Sequence, residues 1–511
     1  MPNILSIKNF FALLLIVTLS GCVSSSIDPS RYEKQPSYTI INDEPTKLDL
    51  YFAREVASHS LIDETGFHPL DKGHDALLAR LAIIESAQSS IDVQYYIFRD
   101  DEAGNLIAWR LFEAAERGVR VRLLLDDMQK YDDNDLLRFS SHPNIEVRMF
   151  NPHHLRSARG IAMLSDFERL NHRMHNKSLT VDGVVSIIGG RNVGNEYYSI
   201  ESTVEFSDLD LMMVGKAVRQ VNRQFDLYWN SDYSVPIEWI APNEDLRYTD
   251  ADVDAWVTEL GLEAKFSGGQ YDFAKLPLYN DLVNGTVELY WGIGDLLYDL
   301  PNKPDSKQST LIDSLNAVLE ESEASLIFIS PYFVPTEQGT KELIAAVDQG
   351  LEVVIITNSL ASNDVFAVHG WYAKYREDLV KGGVSLWEVK SNAEIKKNWS
   401  LTGSSRSSLH TKAMVIDRHK VFVGSMNLDP RSAHLNTEMG VVIEQPEYAE
   451  LVYTSILKDI PKSAYELKMD DGDLVWFDHT TGETLTSEPD ASIWRRIGAW
   501  FSGILPIEEQ L

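Results

Sequence analysis

The chain has 511 residues, of which 44% are hydrophobic and 24% charged. This composition is typical of globular proteins, and it excludes long disordered stretches, collagen-like repeats and a polytopic membrane protein. The length predicts about two to four domains. With 46 Lys and Arg against 77 Asp and Glu, the formal net charge is −31, so the surface is acidic and repels polyanions. We therefore expect no nucleic acid partner.

The N-terminus has the pattern of a bacterial lipoprotein signal. One charged residue, Lys8, precedes the apolar run Phe10–Leu19, which is too short to span a bilayer core of about 30 Å. The run ends in Leu19-Ser20-Gly21-Cys22, which resembles a lipobox, a signal that is cleaved before its cysteine. The resemblance implies a lipid anchor at Cys22 and a location in the bacterial cell envelope, facing the periplasm. Val23 favours the outer membrane over the inner one, and the alternative interpretation of Cys22 is a buried structural thiol.

Regular elements become readable after residue 75. Apolar residues at helical spacing predict a helix over Ala76–Ser86, and β-branched and aromatic residues predict a strand over Ser90–Phe98. A second helix, Gly104–Arg117, ends at a plausible C-cap, Gly118, and the strand Val119–Leu125 follows. Strand, helix and strand in this order predict a βαβ unit in a parallel sheet.

The same order recurs in the second half of the chain. A helix over Ser309–Glu321 leads to the strand Ser325–Ser330, and the helix Thr340–Asp348 leads through Gly350 to the strand Leu351–Thr357. Gly350 lies 232 residues after Gly118, an offset that indicates a duplicated domain rather than a solenoid. We divide the chain into a signal peptide 1–21, a lipidated tether and N-terminal segment 22–74, a first half 75–235, a linker or insertion 236–300, a second half 301–480 and an amphipathic C-terminal helix 490–508.

Each copy ends in the motif HxKx4D, followed after six residues by G[GS]xN. Residues two apart share a face of a strand, so each histidine points with its lysine. The aspartate can tie the strand end to an adjacent loop or to neighbouring backbone groups. The small turn lets the backbone approach a ligand, and the asparagine adds donors. The candidate catalytic residues are His175, Lys177, Asp182, His410, Lys412 and Asp417, and the candidate phosphate-binding residues are Gly190, Asn192, Ser425 and Asn427.

Brought together, the two motifs would form a phosphate site. Lysine and asparagine side chains would hold the non-bridging oxygens while one imidazole attacks phosphorus. The other imidazole would protonate the leaving oxygen and then deprotonate the incoming alcohol or water. Two lysines neutralise the phosphate, so we expect neither a metal ion nor another cofactor.

With the paired HxKx4D motifs, the chain resembles the phospholipase D superfamily over roughly residues 75–470. The resemblance implies an α/β fold of two homologous halves packed as a pseudo-two-fold pair, each with a largely parallel mixed sheet flanked by helices. It also implies a phosphohistidine intermediate, with His175 favoured as the nucleophile by superfamily precedent. Family members orient each catalytic imidazole with a downstream carboxylate. Glu438 is expected in that role for His410, and Asp208 for His175.

Several stretches are similar to bacterial cardiolipin synthases, in particular to those of the C type. They are Asp92–Ile97, Gly118–Asp127, Arg173–Ser178, Gly189–Asn192, Phe206–Asp210, Leu428–Ser432 and Asn436–Glu438. The resemblance implies a phosphatidyltransferase whose substrates are phosphatidylglycerol and, as a further candidate, phosphatidylethanolamine. It names no protein partner.

Two other function classes stay open at this point. A hydrolase, either a phospholipase D or a nuclease, would use the same residues with water as the acceptor, and a nuclease fits the acidic charge poorly. A catalytically inactive lipoprotein is disfavoured because both motifs are intact.

The C-terminal segment predicts a helix with one apolar face. Between Ile493 and Leu505, apolar residues recur at helical spacing together with two tryptophans and two arginines, a composition suited to a membrane interface. The alternative is a helix docked on the globular domain.

Overall fold

The computed structural model describes residues 34–41, 44–58, 63–200, 205–241, 246–391 and 407–511. The predicted signal peptide, Cys22 and Val23 lie outside these ranges. The helices of the first part of the chain are α1 (Lys47–Ser58), α2 (Gly73–Ser86), α3 (Glu102–Glu116), α4 (Asp133–Ser140), α5 (Arg159–Ser165), α6 (Phe167–Leu170), α7 (Lys216–Asn230), α8 (Ile237–Ile240), α9 (Asp250–Leu260), α10 (Leu262–Phe266) and α11 (Pro277–Asn284). Its strands are β1 (Glu64–Leu70), β2 (Ser90–Tyr95), β3 (Arg120–Asp126), β4 (Ile145–Phe150), β5 (Ser178–Val181), β6 (Val185–Gly189), β7 (Glu205–Ser207), β8 (Asp210–Gly215) and β9 (Ser234–Pro236).

The second part of the chain repeats much of this order. Its strands are β10 (Tyr290–Tyr298), β11 (Ser325–Ile329), β12 (Glu352–Asn358), β13 (Ser385–Val389), β14 (Ser407–Leu409), β15 (Ala413–Ile416), β16 (Lys420–Gly424), β17 (Met439–Glu444), β18 (Ala464–Asp470), β19 (Asp473–Asp478) and β20 (Glu483–Leu485). Its helices are α12 (Lys303–Ser306), α13 (Thr310–Glu320), α14 (Thr336–Asp348), α15 (Phe366–Tyr372), α16 (Arg376–Lys381), α17 (Pro430–His434), α18 (Pro446–Ser463) and α19 (Ile493–Ile504). None of the helices in the described ranges is long and apolar enough to cross a bilayer.

The two halves contain the same sheet. Three neighbouring strands run parallel in each, β2, β3 and β4 in the first and β11, β12 and β13 in the second. The next strand is antiparallel, and its register repeats, since Ile91 pairs with Val181 and Leu326 pairs with Ile416, each 235 positions later. The sheet is mixed, as predicted. However, antiparallel pairs outnumber parallel ones among the described strands, because the motif strands return as hairpins.

Strands β1 and β10 join the halves into one sheet. β1 pairs with β8, β10 pairs with β17, and β1 and β10 pair antiparallel with each other. The sheet of each half therefore begins earlier than the predicted boundaries at residues 75 and 301. A buried cluster that includes Leu211 of β8 and Val441 of β17 gives the halves a common core.

The segment predicted as a linker or insertion, 236–300, is folded against the first half. Trp256 of α9 packs edge-on against Trp109 of α3, with ring centres 5.2 Å apart, and also contacts Phe112. Contacts among these three rings, of which Phe112 is buried and the tryptophans are partly buried, hold α9 against α3. The last residues of the segment form β10, so it supplies part of the shared sheet as well.

Candidate active site

The two HxK triplets lie in extended chain directly before a strand. His175 and Lys177 precede β5, and His410 and Lys412 precede β15. All four side chains are buried, the histidines with 7% exposure and the lysines with 1%. Each triplet is followed directly by a strand of a β-hairpin in the central sheet, β5–β6 or β15–β16. The sheet therefore fixes the positions of the triplets.

Each imidazole is bonded to a carboxylate of the other half. Nδ1 of His175 lies 2.9 Å from Oε2 of Glu438, and Nδ1 of His410 lies 2.6 Å from Oδ2 of Asp208. The predicted partners, Glu438 for His410 and Asp208 for His175, were therefore wrong. Each carboxylate does orient a catalytic imidazole, as the sequence predicted. However, each one orients the imidazole of the other half rather than that of its own.

The crossing follows from backbone pairing near the pseudo-two-fold axis. β7, which leads to Asp208, runs parallel to β14, which leads to His410, and the His410 N–H donates to the Ser207 carbonyl at 2.8 Å. In the same way the His175 N–H donates to the Thr437 carbonyl at 2.9 Å. One site is thus built from both halves.

Gly190 makes room for Asp208 and Ser425 bonds Glu438, so both serve the carboxylates rather than a phosphate, which corrects the prediction for both. A Cβ at Gly190 would lie 2.2 Å from Oδ1 of Asp208, so only glycine admits the carboxylate. At the equivalent position, the Ser425 hydroxyl donates to Glu438 and accepts the Met439 N–H. The backbone N–H groups of both residues are also occupied, by the carbonyls of Leu209 and Met439.

The two asparagines differ in their surroundings. Asn192 accepts from the Ile97 N–H at 3.2 Å and donates to the Tyr197 hydroxyl at 3.0 Å, so it braces the site wall and does not fit the predicted phosphate role. Asn427 has a buried Oδ1 without a hydrogen-bond partner among the described residues. An amide oxygen accepts hydrogen bonds, so this atom could take a donor from a ligand, and the predicted contact of the Asn427 amide N–H groups with phosphate stays a prediction.

Asp182 and Asp417 lie at the opposite ends of their strands and do not belong to the catalytic set. Asp182 accepts from the N–H groups of residues 88–90, and Asp417 accepts from those of residues 323–325. Both have a positive φ, 53° and 52°. The expectation that each ties its strand to neighbouring backbone groups is confirmed.

Burial sets the charge of the motif residues. It lowers the pKa of Lys177 to about 7 and that of Lys412 to about 8. Burial and the two lysines lower the pKa of His175 well below its usual value. Burial and Lys412 also lower the pKa of His410, although Asp208 opposes the shift. Both rings are accordingly neutral at pH 7 before substrate binds, with Nδ1 fixed by a carboxylate and Nε2 left for substrate.

The two carboxylates have different electrostatic surroundings. Burial favours the protonated form of Asp208, but the adjacent His410 and Lys412 outweigh burial and lower the pKa of this carboxyl. Burial raises the pKa of Glu438 despite the charge of Lys177. Asp208 is thus the stronger partner for a protonated imidazole.

Aromatic rings enclose the histidines. The Tyr96 ring lies edge-on to His175 at 4.9 Å between centres, and Tyr197 and Phe206 flank His410 at 5.2 and 5.0 Å. No sequence signal marked Tyr197, which comes from a short turn, whereas Phe206 of β7 belongs to the stretch Phe206–Asp210 that carried the family resemblance.

A group of potential metal ligands lies elsewhere in the second half. Single donor atoms of His369, Glu388 and Glu488 lie within 4.8 Å of one another. Arg376 donates to Glu388 at 3.0 Å and to Glu488 at 2.7 Å, so a guanidinium already supplies the positive charge there. This cluster does not fit a catalytic ion.

Comparison with known proteins places the chain in a family. The family described as cardiolipin synthase, PLD-like domain, matches residues 81–229 and 315–459, which together exceed half of the chain. The chain belongs to this cardiolipin synthase family of phospholipase D-like enzymes. The two matches begin within α2 and α13, and they confirm the predicted duplication of the domain.

Individual relatives of this cardiolipin synthase family member agree in length as well as in sequence. Cardiolipin synthase C of Escherichia coli strain K12 is 40% identical over 461 residues, which cover 87% of this chain and 96% of that protein. An uncharacterised protein of Helicobacter pylori strain J99 is 33% identical over 98% of this chain and 100% of that protein. The crystal structure of phosphatidylserine synthase from Haemophilus influenzae Rd KW20 matches with a TM-score of 0.55 at 14% identity, over 90% of this chain and 100% of that chain. The last match concerns the fold alone.

Proposed function

We propose that the protein is a phosphatidyltransferase that transfers a phosphatidyl group to phosphatidylglycerol and so forms cardiolipin. One observation carries the proposal: both imidazoles are bonded through Nδ1 to carboxylates, which leaves two Nε2 atoms for one phosphodiester. The likeness to a cardiolipin synthase of matching length supports transfer to an alcohol rather than to water.

In the first step, Nε2 of His175 attacks phosphorus, the P–N bond forms, and the bond to the leaving alcohol breaks. The leaving oxygen keeps the electron pair and takes a proton from Nε2 of His410, which enters this step as an imidazolium because Asp208 and the negative charge of the bound phosphodiester favour its protonated form. Asp208 supports this role, because its carboxylate stabilises the protonated ring at 2.6 Å. Burial and the two lysines favour the neutral form of His175, which is the form that a nucleophile needs.

In the second step, His410 takes a proton from a phosphatidylglycerol hydroxyl as that oxygen attacks phosphorus. The new P–O bond forms, the P–N bond breaks, and the electron pair returns to His175. Lys177 and Lys412 neutralise the non-bridging oxygens in both steps, and the carboxamide of Asn427 adds donors.

A phospholipase D-type hydrolase would use the same groups with water as the acceptor, and product analysis separates the two. The purified enzyme is incubated in detergent with phosphatidylglycerol alone and with added phosphatidylethanolamine. Transfer yields cardiolipin with release of glycerol or ethanolamine. Phosphatidic acid as the main product, with little cardiolipin at high acceptor concentration, would contradict transfer and support the hydrolase.

We also propose that the protein is anchored in the cell envelope through acylated Cys22, facing the periplasm, with the outer membrane favoured by Val23. The lipobox-like sequence supports this location. Two or more acyl chains anchor a protein stably, at about 0.8 kcal/mol per buried methylene. Cys22→Ala should abolish incorporation of a labelled fatty acid and mislocalise the protein in fractionated cells, while leaving its turnover of detergent-dispersed lipid intact. Metabolic labelling with a fatty acid that still marks the Cys22→Ala protein would contradict acylation at this residue.

A further inference from the structure

The C-terminal helix α19 docks on α15 through its small residues. A Cβ added to Gly370 of α15 would lie 2.1 Å from the Ala499 carbonyl oxygen, and one added to Gly503 would lie 2.7 Å from the Gly370 carbonyl oxygen. Ala499, Ser502 and Gly503 are buried. The two helix backbones therefore touch, and the orientation of α19 is fixed by this contact.

The opposite side of α19 consists of large apolar side chains that face outward. We call this set the α19 face, and its members are between 47% and 78% exposed: Ile493, Trp494, Ile497, Trp500, Phe501 and Ile504. Such a contiguous exposed apolar patch on a folded protein marks an interaction site.

The arginines of α19 point toward the protein rather than outward. The Arg495 guanidinium donates to the backbone carbonyl of Leu360 at 3.0 Å, and Arg496 donates to that of Glu488 at 2.7 Å. The α19 face consequently contains no cation, and what it binds is recognised by apolar contact rather than by charge.

The chain that follows α19 borders a cleft. After α19, residues Glu508–Gln510 line a cleft of about 810 Å³ together with Phe167 and His172, three residues before His175. Gln510 accepts from the side-chain amide of Asn171 at 2.5 Å, which fixes the tail at this cleft. Next to Phe167, which lines the cleft and is itself half exposed, α5 exposes two further large apolar residues, Ile161 and Leu164.

We propose that the α19 face inserts into a phospholipid bilayer. This inference rests on the proposed function, because an enzyme that takes two phospholipids must meet the interface where their phosphates lie. Tryptophan is enriched at this depth, and a helix with an apolar face lies about 5–10 Å into the headgroup boundary. With a net charge of −31, the protein cannot rely on attraction to anionic lipids, and insertion of an uncharged face meets that constraint.

The test uses full-length protein carrying Cys22→Ala, so that acylation does not contribute, and vesicles of phosphatidylcholine and phosphatidylglycerol. Trp494→Ala with Trp500→Ala is compared with Leu451→Ala with Leu457→Ala, which removes two exposed leucines from α18. We expect the tryptophan pair to lower vesicle binding about tenfold or more and the leucine pair to leave it unchanged. Binding of the parent protein should persist at high salt.

Turnover is then measured with the same lipids in vesicles and in mixed micelles. The tryptophan pair should lose activity on vesicles and keep activity within about twofold on micelles. If vesicle binding depends on the two tryptophans but no lipid is turned over, the α19 face is supported as a membrane-binding surface and the proposed function is contradicted. Unchanged vesicle binding by the tryptophan pair would overturn the inference. So would concentration-dependent self-association that these substitutions abolish, because the face would then be covered by a second copy.

Discussion

Nδ1 of His175 lies 2.9 Å from Glu438, a residue that follows it by 263 positions and belongs to the other half of the molecule. Asp208 and His410 form the reciprocal pair. Neither imidazole is oriented by its own half, so catalysis depends on the assembled pair of halves.

A first prediction concerns the shared site. His175→Ala and His410→Ala should each lower kcat by about 10³-fold or more, and the double variant should be no worse than either single variant. The reason is that the two rings serve one phosphorus atom. Steady-state assay of folded variants, with folding checked by circular dichroism, provides the measurement. Half of the activity surviving in either single variant would indicate two independent sites.

A second prediction tests the crosswise pairing. Asp208→Asn should lower kcat by about 10- to 100-fold by disturbing His410. In nitrogen NMR spectra, it should shift the ring signals of His410 more than those of His175. Glu438→Gln is the matched variant and should show the opposite preference. Larger shifts within the same half would contradict the pairing.

A third prediction concerns pH. Lys177 and Lys412 bind phosphate as ammonium groups, so kcat/KM should fall as pH rises through about 7 and about 8, the pKa values that burial gives them. The contribution of these two lysines to the free energy of unfolding changes with pH in the opposite direction to kcat/KM. Between these values and their ordinary pKa of 10.5, the unfolded chain binds more protons, so this contribution rises with pH.

The stability effect is isolated by comparing urea unfolding of the parent protein and of Lys177→Met at several pH values. The parent should gain stability relative to the variant as pH rises from about 7 to about 10. A parent that loses stability relative to the variant over this range would show that the lysine is stabilised in its charged form.

A fourth prediction separates structural from catalytic aspartates. Asp182→Ala should lower the free energy of unfolding by about 1–3 kcal/mol, because three backbone N–H groups lose their acceptor. The kcat of the folded fraction should stay within about twofold, and Asp417→Ala should behave alike. Loss of kcat in fully folded protein would place these residues in the chemistry after all.

A fifth prediction is that turnover persists in excess chelator, since two lysines supply the positive charge that a divalent ion would bring. A water-soluble phosphodiester serves as the control substrate, because divalent ions also alter lipid packing. Activity lost on chelation and restored by Mg²⁺ or Zn²⁺ would defeat the proposed mechanism.

The sequence was sufficient to predict the motif residues and the duplication, because HxKx4D and its trailing turn recur with a constant offset. It was not sufficient for the partners of the histidines. Downstream spacing assigns Glu438 to His410, whereas the pairing is decided by backbone contacts such as that of His175 with Thr437, made only when the halves assemble.

Strands β1 and β10 were also missed, for a local reason. Gly66 and Pro69 interrupt β1, and Gly292 and Gly294 interrupt β10, so neither shows the apolar alternation of a strand. Their pairing partners in β8 and β17 make them strands.

The reciprocal bonds between Asp208 and His410 and between Glu438 and His175 have the geometry of an isologous contact, in which two identical subunits exchange the same residues. In a homodimer, the two carboxylate–histidine pairs would be made by identical residues, because both subunits have the same sequence. Within a single chain the copies are free to diverge, and here one has aspartate beside glycine where the other has glutamate beside serine. Covalent linkage thereby allows two initially equivalent imidazoles to specialise, one for attack on phosphorus and the other for proton transfer.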